Sequence, residues 1–124
     1  MIPKFRAFLK GHKKIVDVVE INYKYKEITY ENEKYMEVEN FKDIEFLQST
    51  GVKDKNGTEI YEGDVVKHDP VPNPFFENTN FEIVQARTGE WRIDSIRGGS
   101  VLAFHNHQIK VIGNKFQHPH LLEE

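Results

Sequence analysis

QSTGVKDKNGTEIYEGDVVKH, residues 48–68, decides how this chain folds. Within it, Lys53-Asp54-Lys55-Asn56-Gly57 is a turn by chemistry, because Asn-Gly tolerates the positive φ that tight hairpin turns demand. Two apolar pairs follow, Ile60-Tyr61 and Val65-Val66, split by Glu62-Gly63-Asp64. A glycine inside a strand pattern marks a bulge or a sharp bend. The stretch therefore reads as an extended segment that kinks at Gly63 and continues as a strand over 64–67. Such an entry suits a small barrel, whose first strand curls to close the sheet. A calcium loop is the competing reading of the turn, and its spacing fails. An EF-hand loop sets its glycine five residues after the first aspartate, whereas Gly57 follows Asp54 by three.

Working outward, Phe5, Ala7 and Leu9 alternate on one face of a first strand. A lysine-rich turn follows, and IVDVVEI over 15–21 makes a second, β-branched strand paired with the first as a hairpin. The run 22–31 alternates aromatic with charged residues as a third strand, 34–39 is a weaker fourth with Tyr35 and Val38 inward, and 41–47 leads into the central stretch. Asn40 is placed to cap a short helical turn before it. Beyond the central stretch, prolines 70, 72 and 74 exclude a sheet interior and define an extended loop ending at Phe75-Phe76. Strands at 81–87, 90–96 and 101–104 are separated by turns at Thr88-Gly89 and Arg97-Gly98-Gly99-Ser100, and a last strand covers 109–112. Short strands with turn signals close together are the pattern of a small barrel. The expected architecture is mainly β with little helix. It comprises an antiparallel meander over 1–50, an SH3-like β-barrel over 51–113, and a docking tail over 114–124 opened by Pro119.

The central motif, residues 48–57 followed by Glu59-Ile60-Tyr61-Glu62-Gly63-Asp64-Val65-Val66, resembles the signature of the YopX family. The opening Ile2-Pro3-Lys4-Phe5-Arg6-Ala7-Phe8 is similar to that family's start. Val111-Ile112-Gly113-Asn114, Pro119 and Leu121-Leu122 are similar to its end, so the resemblance brackets nearly the whole chain; residues 70–110 carry none of it. What the resemblance implies is a phage or prophage origin and a β-rich fold. It brings no catalytic residues with it.

Composition narrows the function further. The 124 residues fit one domain or two small subdomains, and nine Phe with five Tyr supply a core that 38% hydrophobic content alone would leave thin. With no cysteine, disulfides and thiol catalysis are excluded, which fits a bacterial cytoplasm. No apolar run approaches the ~18 residues that span a bilayer, so no membrane is expected. A net charge of −3 removes the main electrostatic argument for nucleic acid. The phosphate-loop, dinucleotide and nucleophile-elbow motifs are all absent.

The expectation is a non-enzymatic protein-interaction module without cofactor or metal, binding itself as a homo-oligomer or an unknown host or phage protein. Phe75 and Phe76 on the proline loop, and Leu121 and Leu122 on the tail, are the candidate partner contacts. The alternative is a nucleic-acid-binding regulator using Lys4, Arg6, Lys13 and Lys14 together with Arg87, Trp91, Arg92 and Arg97. A third reading is a metal-dependent enzyme in which His105 and His107, two apart, gain a further ligand from His68 or Asp69.

Overall fold

The computed structural model describes residues 4–72 and 74–123, without the side chain of Phe75. Eleven strands and five short three-ten turns make up the regular structure of the described residues, which contain no α-helix. The chain divides into two compact units between Gln48 and Ser49.

In the first unit β1 (Phe5–Leu9) pairs with β2 (Lys14–Asn22), β2 with β3 (Glu27–Asn32), and β3 with β4 (Tyr35–Asn40). This is the expected meander, with one addition. β5 (Ile44–Lys53) returns to the other side of β1, setting Leu9 opposite Ile44, so the order is β4-β3-β2-β1-β5. Flat, five strands would set β4 and β5 roughly 19 Å apart. The link from Asn40 to Ile44 reaches at most about 14 Å. The sheet must therefore coil until those two ends approach. The link is a three-ten turn, Phe41–Asp43, capped as expected by the Asn40 side chain, which accepts from the Lys42 N–H. Ala7, Leu9, Ile28, Tyr30 and Ile44 form the buried cluster inside the coil.

Two details of this unit differ from the sequence reading. The aromatic run over 22–31 is broken by a turn at 23–26, where the Tyr25 N–H bonds to the Asn22 side chain and Lys26 adopts φ 54°. Tyr35 and Val38 do not face inward; they are 71% and 54% exposed, because β4 is an edge strand. The hairpin turns seat non-glycine residues in the left-handed region, at Lys13, Lys26 and Glu33.

β5 continues into the second unit, where its 49–53 half pairs with β6 (Glu59–Tyr61) across the predicted Asn56-Gly57 turn. At Gly63, φ is +86°, and the chain leaves β6 to start β7 (Asp64–His68) in another sheet. The predicted kink is thus a corner between sheets. Gly63 is needed there twice over: for its backbone angle, and because a Cβ would sit 2.8 Å from Phe116 Cε2.

β7, β8 (Phe81–Gln85), β9 (Trp91–Ser95), β10 (Gly98–Val101) and β11 (Ile109–Asn114) form an antiparallel sheet of order β10-β9-β8-β7-β11. The mainly β expectation holds, but this sheet is open: β10 and β11 are its edges and do not pair, so no SH3-like barrel is closed. Two local features accompany the open sheet. The β7–β8 ladder pairs only Val65 with Glu82 and Val66 with Phe81. Residues 101–104, expected as a strand, fold after Val101 into the three-ten turn Leu102–Phe104, which buries Leu102 instead of extending an edge. β10 accordingly begins at Gly98, and the turn before it is Ile96-Arg97. Ile60, Val66, Phe81, Ile83, Ile93, Leu102 and Ile109 make the core.

Candidate functional site

Two features of the described residues depart from an ordinary small β-protein, one in each unit.

In the second unit β7 ends at His68. Side chains alternate along a strand, so His68 shares a face with the fully buried Val66. It is 4% exposed, and neither ring nitrogen has a hydrogen-bond partner. A buried polar atom left unpaired costs roughly 1–3 kcal/mol, so the arrangement is one a folding protein ordinarily avoids. Phe76 and Phe81 stand against the imidazole, with centroids 5.0 and 5.4 Å away. His105 meets it edge-on at 5.5 Å, and its own Nδ1 is also buried without a partner. Burial, and then the neighbouring His105, hold His68 below the ordinary histidine pKa, so its ring is neutral. The two histidines border a cavity of about 240 Å³ floored by Phe76, Phe81 and Ile93. Ser95, Arg97 and Ser100 also line it.

In the first unit β4 presents an edge that no described strand covers. Its pairing with β3 sets Glu37 opposite Tyr30 and Glu39 opposite Ile28, so both glutamates share the face of those two buried residues. Burial first, then Glu39 and Glu37, push the Tyr30 phenol up. Met36 and Val38 lie on the outer face, both 54% exposed. From 27 to 40 the hairpin holds five glutamates and a single lysine.

The sequence candidates are placed as follows. Phe76 belongs to the three-ten turn Pro74–Phe76 and packs on the core as the anchor of the proline loop; the side chain of Phe75 lies outside the described residues. Leu121 and Leu122 sit in the turn Pro119–Leu122, which Pro119 opens as predicted. Both are half-buried on their own unit: Leu121 lies over Gly113, and its carbonyl accepts from Asn80 at 2.7 Å.

The basic candidates fall in both units. Lys4, Arg6, Lys13 and Lys14 are in the first, where Arg6 pairs with Asp17 at 3.1 Å. Arg87, Trp91, Arg92 and Arg97 are in the second. Arg92 pairs with Asp94 on its own strand, Trp91 packs on the core, and Arg97 reaches the cavity. His105 sits between the three-ten turns Leu102–Phe104 and Asn106–Gln108, His107 lies in the second, and among the described residues no three histidine or acidic side chains are placed to hold a metal ion. The sequence reading missed His68 as a cavity wall. Its signal was the period of two from Val66.

The YopX family, described as YopX protein, matches residues 4–123. The chain belongs to the YopX family. This YopX-family chain is also similar to protein EF1440 from Enterococcus faecalis, whose crystal structure covers 99% of each chain at 27% identity with a TM-score of 0.67. No curated protein matches the chain. Among the described residues no helix is long and apolar enough to cross a membrane.

Proposed function

We propose that this YopX-family chain is a non-enzymatic binding module of phage or prophage origin, working in the bacterial cytoplasm. On this reading the β3–β4 hairpin receives an extended, basic segment of a protein partner as an added strand. The observation that carries the reading is the uncovered edge of β4, where Glu37 and Glu39 alternate with the exposed Met36 and Val38. Strand addition draws affinity from the backbone and specificity from alternate side chains. A partner alternating lysine or arginine with apolar residues matches both faces.

A second copy of the chain matches poorly. Opposite residues of a two-fold strand pair share a face. Centred on Glu37, the pairing sets Glu37 against itself; centred on Val38, it sets Glu37 against Glu39. Inward-pointing charges of this kind are how edges resist their own copies. The same acids repel phosphate, which weighs against nucleic acid here.

The test is fluorescence anisotropy with an eight-residue peptide alternating lysine and valine. Binding that weakens with salt, and that Glu37→Lys/Glu39→Lys abolishes, supports the reading. Equal binding of a peptide alternating glutamate and valine sinks it.

A further inference from the structure

The cavity beside His68 lies in the other unit and is independent of the β4 edge. It holds hydrogen-bonding capacity that the fold leaves unused. Three buried imidazole nitrogens, both of His68 and Nδ1 of His105, lack partners among the described residues. Burial and His105 keep the His68 ring neutral. Among the described residues the lining includes no aspartate or glutamate. The Asp94 carboxylate, which lies over Gly99 of the lining, is held by Arg92 at 3.2 Å. Arg97 reaches the lining but is already engaged within the chain. A cation therefore meets no carboxylate set aside for it, and an anion no guanidinium. The remaining wall is largely apolar, with the Phe76 and Phe81 rings against the imidazole. A volume of about 240 Å³ holds on the order of eight waters at ~30 Å³ each, which is room for one aromatic ring and a substituent.

We infer that this cavity binds a small neutral aromatic alcohol, its hydroxyl between His68 and His105 and its ring against Phe76 and Phe81. A neutral imidazole offers one N–H and one lone pair. A hydroxyl both donates and accepts, and its hydrogen rotates to suit, so it accepts from an N–H of one histidine while donating to the lone pair of the other. The two ring centres are 5.5 Å apart, a separation that one oxygen bridges with two bonds of about 2.9 Å. The His68 nitrogens are closed to solvent, and the broad, two-fold torsion of an imidazole lets the ring turn to meet an entering hydroxyl. Pairing a nitrogen already stripped of water recovers a cost the fold has met, so the hydroxyl adds affinity beyond the burial of its ring. That ring meets Phe76 and Phe81 as aromatic neighbours. Two sources share this chemistry: a free phenol and the tyrosine side chain of a peptide.

The experiment is an NMR titration of the full chain labelled in 15N, near pH 7.5 where histidine is mostly neutral, using phenol, its methyl ether anisole, toluene, benzoate and benzylammonium. The expected result is a saturable shift of the His68 and His105 ring signals with phenol. Anisole and toluene should bind about tenfold more weakly, having no hydrogen to donate, and the two ions more weakly still. His68→Phe, which fills the same space with an apolar ring, should bring phenol down to the affinity of toluene, read from the cavity amides. Should that variant not fold, the wild-type ratio of phenol to toluene decides alone. A capped tripeptide centred on tyrosine is compared with p-cresol: the peptide binding tighter identifies a tyrosine side chain as the source, and p-cresol tighter identifies a free phenol. Toluene or either ion binding as well as phenol, or shifts that bypass both histidines, overturns the inference. An unresponsive wild-type chain overturns it as well.

Discussion

Asp54 holds Val111: its Oδ2 accepts the Val111 N–H at 2.9 Å, while its Oδ1 accepts the N–H groups of Asn56 and Thr58, each at 2.9 Å. One carboxylate, 6% exposed, thus closes the β5–β6 turn and fastens it to β11, fifty-seven residues further along the chain. The turn that looked like a failed calcium loop uses its aspartate to collect backbone donors. The neighbouring Lys55 N–H adds a bond to the Ile109 carbonyl at 3.0 Å.

Asp54→Ala should therefore be among the most damaging single changes in the second unit. Three donors lose a charged acceptor at once, and the expected loss is roughly 2–4 kcal/mol. Asp54→Asn keeps an acceptor oxygen and should lose less than half of that. Urea unfolding of the three proteins measures it. Equal midpoints for wild type and Asp54→Ala would remove the role given to the carboxylate.

Gly63 and Phe116 should be coupled. Gly63→Ala imposes a left-handed alanine, at roughly 1–2 kcal/mol, and drives its methyl into the Phe116 ring. Phe116→Leu alone should cost stability by shrinking the ring's packing. Together the two changes should cost less than their sum, since leucine vacates the space the methyl needs. A double-mutant cycle reads the coupling, and strict additivity would show that the ring does not confine this corner.

His68 makes stability depend on pH, with a sign that can be worked out. Its folded-state pKa lies below the ordinary histidine value because of burial and then His105. In the unfolded chain the ring protonates first, near the ordinary value of about 6.5. Stability from the neutral ring is therefore complete above that pH and is lost as pH falls through it towards the lower folded value. Thermal midpoints at pH 7.5 and 5.5 should drop further for the wild type than for His68→Phe. Parallel profiles would mean that His68 does not carry the effect.

The glutamates of β4 should act as guards. Glu37→Gln/Glu39→Gln removes the like charges that a two-fold copy would oppose while keeping the strand's shape. The variant should self-associate more strongly than the wild type, by light scattering at matched concentration. With a gain of about 1 kcal/mol on each side of a symmetric pair, the shift in dimer affinity is about thirtyfold. Wild type and variant with the same mass would show that the charges guard nothing.

Much of this fold was legible in the chain because period-two alternation and turn chemistry are local. Ala7 and Leu9, the Asn56-Gly57 turn, the corner at Gly63, the Asn40 cap and the Pro119 turn were all readable that way. What was not legible depended on partners distant in sequence. Tyr23 and Tyr25 continue a strand pattern that only the bond from Asn22 to Tyr25 interrupts. Tyr35 and Val38 read as inward until β4 proves to be an edge. Leu102 buries itself through a three-ten turn that its strand-like neighbours conceal. The cavity was hidden for the same reason: His68, Phe76, Arg97 and His105 are spread over 38 residues, and the sequence divides them among a metal site, a partner contact and a nucleic-acid surface.

The left-handed residues of the first unit have one more implication. Lys13, Lys26 and Glu33 hold φ near 54° without being glycine. Each stores about 1–2 kcal/mol of backbone tension, whereas glycine there would cost only about 0.5–1 kcal/mol in extra freedom of the unfolded chain. The three hairpins are thus sprung more tightly than their geometry requires. Relaxing them with glycine is a route to a tougher scaffold that leaves the buried cluster, Glu37 and Glu39 of the β4 edge, and the cavity untouched.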